Sequence, residues 1–225
     1  MPWRGIDIIA DQIRDLLHLG LPGKASHEKM IPETRQLFNE STIEKQAAVL
    51  ILLFPDDGGI RFSFIQRTKY DGVHSGQISL PGGIKEDVDI DLRQTAIRET
   101  CEETGISAHD IKILGKLSPI NIPVSRFEVH PFVGYISCRP EFRTDAREVE
   151  FMINIPILHF LQGRNRRTEI WNLHNTEVLV PFFIYKNHKI WGATAMIISE
   201  FLDIIEGIEP DQWIQQYSGN DCSGT

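Results

Sequence analysis

The chain has 225 residues, enough for one substantial core or one domain with an added arm. Hydrophobic residues at 41% and charged residues at 24% are the composition of an ordinary soluble globular protein. A formal net charge of -8 argues against non-specific affinity for nucleic acid or anionic membrane, while a bound cation and a local basic cluster would still admit a polyanionic substrate.

Three cysteines, Cys101, Cys138 and Cys222, lack metal-site spacing, and the odd count fits reduced thiols in a cytoplasmic protein. No apolar run approaches the ~20 residues of a membrane helix. The opening stretch MPWRGIDIIADQIRDLL is interrupted by Asp7, Asp11 and Asp15, which does not fit a signal peptide, and the final CSGT is no address signal.

In chain order, residues 6–19 read as a helix, because Ile9, Ile13, Leu16 and Leu17 form an i, i+4, i+7, i+8 stripe that Gly20 and Pro22 end. Residues 21–45 are polar and irregular. The run AAVLILLF, residues 47–54, reads as a buried strand. Pro55 to Gly59 is a turn and Ile60 to Arg67 the partner strand of a hairpin. A helix follows at the acidic segment around residue 100, where Asp91 with Gln94 can form a capping box and Gly105 is a C′ stop. Further strands are expected at 111–117 and 129–137, a short helix at 156–161, and strands at 168–173, 178–185 and 189–191. The last helix is expected at 193–205, with Ala195, Ile198, Leu202 and Ile205 on or near one face. The organisation implied is an N-terminal helix and arm over 1–45, a main domain over 46–217, and a flexible tail over 218–225. Strands and helices mix without regular βαβ alternation, so pattern alone gives α/β or α+β.

The chemistry concentrates in residues 82–106, GGIKEDVDIDLRQTAIRETCEETGI. Glu99, Glu102 and Glu103 stand at i, i+3 and i+4 and share about a third of the helix circumference. Like charges this close weaken a helix unless a cation sits among them. Carboxylate ligands suit a hard ion, Mg²⁺ or Mn²⁺, which keeps positions for water and substrate phosphate. The competing reading is a solvated acidic face.

This segment resembles the Nudix box, G-x5-E-x7-R-E-U-x-E-E-x-G-U. The last nine positions, Arg98 to Ile106, match, with Thr100 in place of the usual bulky aliphatic residue. The first half departs: Asp89 stands six residues after Gly83 in place of Glu, and the spacing to Arg98 is one residue longer. The departure resembles the coenzyme A pyrophosphatase branch, whose upstream signature has the form R-[ST]-x3-x-x3-G-x3-[FL]-P-G-G. Arg67-Thr68, Gly76 and Leu80-Pro81-Gly82-Gly83 match it in spacing, and residues 74–83 resemble an HxGQxxFPGG form. Gly72 and Leu80 deviate from common occupants. Together the signatures cover residues 67–106.

The resemblance implies a Nudix-type α/β/α sandwich with a mixed sheet, a small-molecule substrate and room for a homodimer. It points to Glu102 and Glu103 as metal ligands, Glu99 as a ligand or orienting group, and a backbone carbonyl of Gly83 as a further ligand. Arg98 is expected to hold the carboxylates through its i, i+4 relation to Glu102. Asp89 is the candidate for the missing loop acid, with Asp87 and Asp91 as rivals. The run Ala146 to Glu150 resembles a D-E-V segment of coenzyme A relatives and points to Glu148 as a further catalytic acid, the alternative being a surface acid. Arg67, Lys69, His74 and Lys85 are candidate substrate contacts, with Arg67 first for a 3′-phosphate; His74 also reads as a loop cap. Trp191 lies in a segment resembling I-W-G-x-T-A and is expected to pack at the head of the last helix. Cys101 points away from the glutamates and reads as structural. The implied reaction is hydrolysis of the diphosphate of coenzyme A or acyl-coenzyme A to 3′,5′-ADP and a 4′-phosphopantetheine product. The alternatives are the same chemistry on ADP-ribose, NADH or another nucleoside diphosphate derivative, and a non-catalytic Nudix-fold binding module, which the retained glutamates disfavour.

Overall fold

The run AAVLILLF forms the centre of β1, Lys45–Asp56, and its lack of polar alternation has a direct cause. Ala47, Ile51 and Leu53 face one hydrophobic cluster, and Ala48, Leu50, Leu52 and Phe54 face another. A strand covered on both faces needs apolar residues at both parities. The computed structural model describes residues 4–32, 43–68, 76–123, 125–163, 165–173 and 176–214. Lys69, Gly72, His74, Cys222 and the proposed tail over 218–225 lie outside them.

β1 turns through Asp57-Gly58 into β2, Gly59–Arg67, as the hairpin pattern requires, with Asp56 opposite Gly59. On its other edge β1 pairs in parallel with β7, Phe127–Tyr135. Antiparallel partners complete a mixed eight-stranded sheet: β3 (Ile78–Ser79) and β8 (Val149–Pro156) on β2, β4 (Gly82–Ile84) on β1, and β5 (Lys112–Lys116) and β6 (Ile120–Ile122) on β7. Helix α3, Leu92–Thr104, covers one face through Ala96, with Ile106 and Ile111 beside it. The other face carries α1 (Arg4–Leu19), α4 (Ile157–Leu161) and α5 (Gly192–Ile205), and a second sheet of β9 (Arg166–Leu173), β10 (Thr176–Tyr185) and β11 (His188–Trp191). This is the expected α/β/α layering with a mixed sheet.

The polar stretch after α1 differs from the reading as irregular chain. It contains α2, Lys24–Glu28, which lies against α5. Its anchor is Glu200, fully buried on α5, whose carboxylate accepts from the Gly23 amide at 3.1 Å and the Ser118 hydroxyl at 2.7 Å and lies 2.9 Å from His27 Nε2. A buried carboxylate needs such donors. Beside it Asp203 receives the Lys29 ammonium at 2.7 Å and the Ser26 hydroxyl. Ile6, Ile9 and Ile13 of α1 are buried in the same core as α5, so helix and arm pack into the main body.

β8 and the short strands β3, β4 and β6 were not expected, nor was the 3-10 turn at Pro210–Ile214. Cys101 is a free thiol, half-buried, and burial pushes it up to about 11, which suits a structural role. Cys138 is disulfide-bonded, which corrects the expectation of reduced thiols throughout. No helix among the described residues is long and apolar enough to cross a membrane.

Candidate active site

The acidic helix starts where the capping box placed it. Asp91 accepts from the Gln94 amide at 2.8 Å, and the Gln94 side chain accepts in return from the Ile90 amide at 2.7 Å. It ends at Gly105, in the left-handed region at φ 72. Thr100, at the position where the resemblance expects an aliphatic residue, is buried without cost because its hydroxyl donates to the Ala96 carbonyl at 2.7 Å.

The three glutamates of α3 divide by exposure. Glu103 is 1% exposed, Glu99 is half-buried, and Glu102 lies on the open side with its side chain 54% exposed. The facing element is the Pro81-Gly82-Gly83 crossing, where the chain passes from β3 into the start of β4. The Gly82 amide donates to Glu103 at 2.8 Å. A Cβ on Gly83 would fall 2.3 Å from Glu99 Oε2, and one on Gly82 would fall 2.3 Å from the Ala48 carbonyl. Only glycine lets this backbone lie so close to the acids.

Arg98 holds the other side. Its guanidinium reaches Glu99 at 3.0 Å, Glu102 at 3.1 Å and the Ile84 carbonyl at 3.1 Å. The same group forms a two-pronged pair with Asp89, both bonds 2.9 Å. Asp89 is 3% exposed and also accepts from the Glu86 amide and the Thr95 hydroxyl. Its carboxylate is held well below the usual range, first by Arg98. The structure therefore places Asp89 behind Arg98, as an anchor, with both oxygens already engaged. The rival Asp91 is the helix cap, and Asp87 is exposed in the same loop.

Glu148, exposed in the turn before β8, lies near enough to these acids for its charge to act on them. Its charge, with that of Glu99, raises Glu103, and with that of Glu102 raises Glu99. Burial is the larger cause in both cases, and Glu103 is pushed up to about 7 against the opposing pull of Arg67 and the Gly82 amide. Arg67 turns inward: its guanidinium donates to the Gly82 carbonyl at 2.7 Å and lies 3.6 Å from Glu103. That position is beside the acids of α3. The Lys85 amide donates to the Gln46 carbonyl just past the end of β4, and its side chain is half-buried. Lys69 and His74 lie outside the described residues.

Among the described residues no three His, Cys, Asp or Glu side chains already converge as a coordination set. The physical reason is visible: Glu99 and Glu102 are drawn to Arg98, and Glu103 to Gly82 and Arg67. The donor chemistry nonetheless fits a hard divalent cation, because acids that are buried together and raise one another's proton affinity gain most from a shared cation. Residues missed by sequence reasoning are Thr68 and Asp145. Thr68 donates its amide to the Glu148 carbonyl and its hydroxyl to the Arg147 carbonyl, both at 3.0 Å. Asp145 closes the turn by accepting the Arg147 amide at 2.9 Å. Only the Thr68 position in the upstream signature hinted at this.

The family model of the NUDIX domain matches residues 44–151, which contain β1, the glycine crossing, α3 and the Glu148 turn. The Arabidopsis thaliana protein named Nudix hydrolase 22, chloroplastic, is 36% identical over 179 residues, 76% of this chain, and the chain spans 59% of that protein's length. The human mitochondrial coenzyme A diphosphatase NUDT8 is 30% identical over 181 residues, covering 79% of this chain and 75% of the human protein. Among solved structures, a MutT/nudix family protein from Enterococcus faecalis aligns with a TM-score of 0.49 at 16% identity, over 83% of this chain and 75% of that one. With a relative 30% identical that the chain covers over three quarters of its length, this chain belongs to the Nudix hydrolase family.

Proposed function

We propose that the protein is a divalent-metal-dependent diphosphatase that hydrolyses coenzyme A or its thioesters to 3′,5′-ADP and a 4′-phosphopantetheine product. The observation that carries the reaction class is the buried Glu103 set against Gly82-Gly83, with Glu99 and Glu148 close enough to raise its proton affinity. The substrate reading is supported by the Arg67-Thr68 and Leu80-Pro81-Gly82-Gly83 signature and by likeness to a relative named as a coenzyme A diphosphatase.

Glu99, Glu102, Glu103 and the Gly83 carbonyl are the groups that would hold Mg²⁺ or Mn²⁺, an ion that polarises phosphoryl oxygens and offsets charge on the leaving group. Arg98, fixed from behind by Asp89, keeps Glu99 and Glu102 oriented on the open side of the helix. Arg67 supplies positive charge beside Glu103, where the bridging phosphates would lie. Glu148 is the group outside the helix suited to orient the attacking water and take its proton as the new phosphorus–oxygen bond forms. The anhydride bond then breaks, and one phosphate-bearing fragment departs from each side.

The test is a panel of coenzyme A, dephospho-coenzyme A, ADP-ribose and NADH with products identified by mass spectrometry. Preferred cleavage of coenzyme A to 3′,5′-ADP is expected. Preference for ADP-ribose or NADH would replace the substrate while leaving the reaction class, and no turnover of any diphosphate with added Mg²⁺ or Mn²⁺ would leave a binding module.

A further inference from the structure

The end of β2 joins two halves of the site. β2 and β8 pair regularly up to Gln66 opposite Phe151, and then Arg67 stands opposite Val149, so Glu150 is the extra residue of a bulge. A bulge twists the strand and re-aims the side chains next to it. Here it falls between Gln66 and Arg67, just ahead of Arg67, directed to Glu103 and Gly82, and of Thr68, directed to the Glu148 turn. Glu148 itself is exposed, while the next residue, Val149, is buried, so the turn is held from below by Val149 and around its rim by hydrogen bonds. The Glu148 and Val149 amides donate to the Asp145 carbonyl at 3.1 and 2.9 Å, the Arg147 amide donates to the Asp145 carboxylate, and Thr68 holds the two successive carbonyls of Arg147 and Glu148. Thr68 supplies the only cross-strand contacts that the described residues give these two carbonyls.

We infer that Thr68 is a positioning residue for Glu148: its hydroxyl and amide fix the 145–148 turn so that the Glu148 carboxylate faces the acids of α3. This rests on the reading of Glu148 given above. A threonine suits the task because its β-branched side chain has few rotamers, so the hydroxyl is already aimed when the strand forms.

Thr68→Val keeps the shape and the amide but removes the hydroxyl, and Thr68→Ser keeps the hydroxyl. The expected result for Thr68→Val is a kcat lower by about threefold to tenfold, the range of one hydrogen bond, with KM and Tm nearly unchanged and with recovery in Thr68→Ser. In protein stripped of metal, amide hydrogen exchange over residues 145–149 should accelerate in Thr68→Val and return towards wild type in Thr68→Ser. Asp145→Ala loosens the same turn from the other side and should reproduce both effects, which covers the case of a Thr68 variant that folds poorly. The decisive comparison is the Glu148→Gln background, where Thr68→Val should cost little more, since its action passes through a carboxylate already removed. An equal loss in both backgrounds, or unchanged kcat in Thr68→Val, overturns the assignment of Thr68 alone. A wild-type rate in Glu148→Gln removes the catalytic reading of Glu148 and the inference with it.

Discussion

Replacing Glu103 by Gln should stabilise the metal-free protein at alkaline pH while abolishing its activity. Glu103 is 1% exposed and is pushed from 4.5 to about 7, chiefly by burial. Between those two values the folded protein keeps a proton that the unfolded chain releases. Stability attributable to this group therefore falls as pH rises through the window and is lowest above about 7. A displacement of about 2.5 pH at about 1.4 kcal/mol each sets the cost at about 3 kcal/mol. Gln cannot ionise, and its carbonyl oxygen can still accept from the Gly82 amide, now at 2.8 Å from Glu103. At pH 8 in chelator the variant should gain about 1–3 kcal/mol, a Tm higher by about 2–10 °C for a chain of this size. The gain should vanish near pH 4.5. Urea or thermal denaturation across pH 4.5–8.5 measures it, and added Mg²⁺ should stabilise the wild type more than the variant. Activity should fall at least about a hundredfold. Equal pH slopes for the two proteins would refute the claim that burying this charge costs stability, and near-wild-type activity would remove Glu103 from the metal site.

Gly83→Ala should drive the Glu99 carboxylate aside, since the added Cβ lies 2.3 Å from its Oε2, and lower kcat at least about tenfold with a small change in Tm; an unchanged rate would show that Glu99 has room to spare. Asp89→Asn breaks the paired bonds to Arg98 and should destabilise by about 2–4 kcal/mol in urea titrations. Because Asp89 is held below its ordinary 3.8, its contribution is complete above that pH and is lost as the pH falls further, so the variant should show a flatter acid limb. Glu148→Gln should lower kcat without changing Tm, whereas Glu150→Gln, at an exposed residue that accepts from the Gln66 side-chain amide at 3.1 Å, should be mild; equal small effects would make Glu148 a surface acid.

The elements that carried their own signals were legible. The cap and glycine stop of α3 lie in its sequence, and the apolar run of β1 and the stripe of α1 are burial patterns. β3, β4 and β6 have two or three residues each, too few for any period, and exist because neighbouring strands supply partners. β8 was hidden by the acidic run before it and by partial burial without clean alternation. At the site, the spacing of the glutamates showed a shared face but not their unequal burial, which depends on the glycine crossing. Counting residues from Gly83 makes Asp89 the candidate for the missing loop acid but says nothing about the direction of its side chain. Its neighbours, the Glu86 amide, Thr95 and Arg98, turn it away from the cluster. Arg67 was found by its signature, and its inward turn follows from a bulge that no local pattern announces.

The anchoring of α2 on Glu200 separates the segment recognised by kinship from the unit that folds. A fragment cut at residues 44 and 151 would keep every glutamate of the α3 helix and the Glu148 turn. It would also sever β8 after three residues, strip α1 and α5 from one face of the sheet, and leave Phe62 and Phe64 bare to water. Trimming only the first 30 residues would be subtler in form and similar in kind: Glu200 would lose the Gly23 amide and His27 and sit as an undersupplied charge in an apolar wall. The acids of this enzyme family are portable as a motif, but in this chain the sheet that carries them shares one core with helices that lie outside the motif's borders.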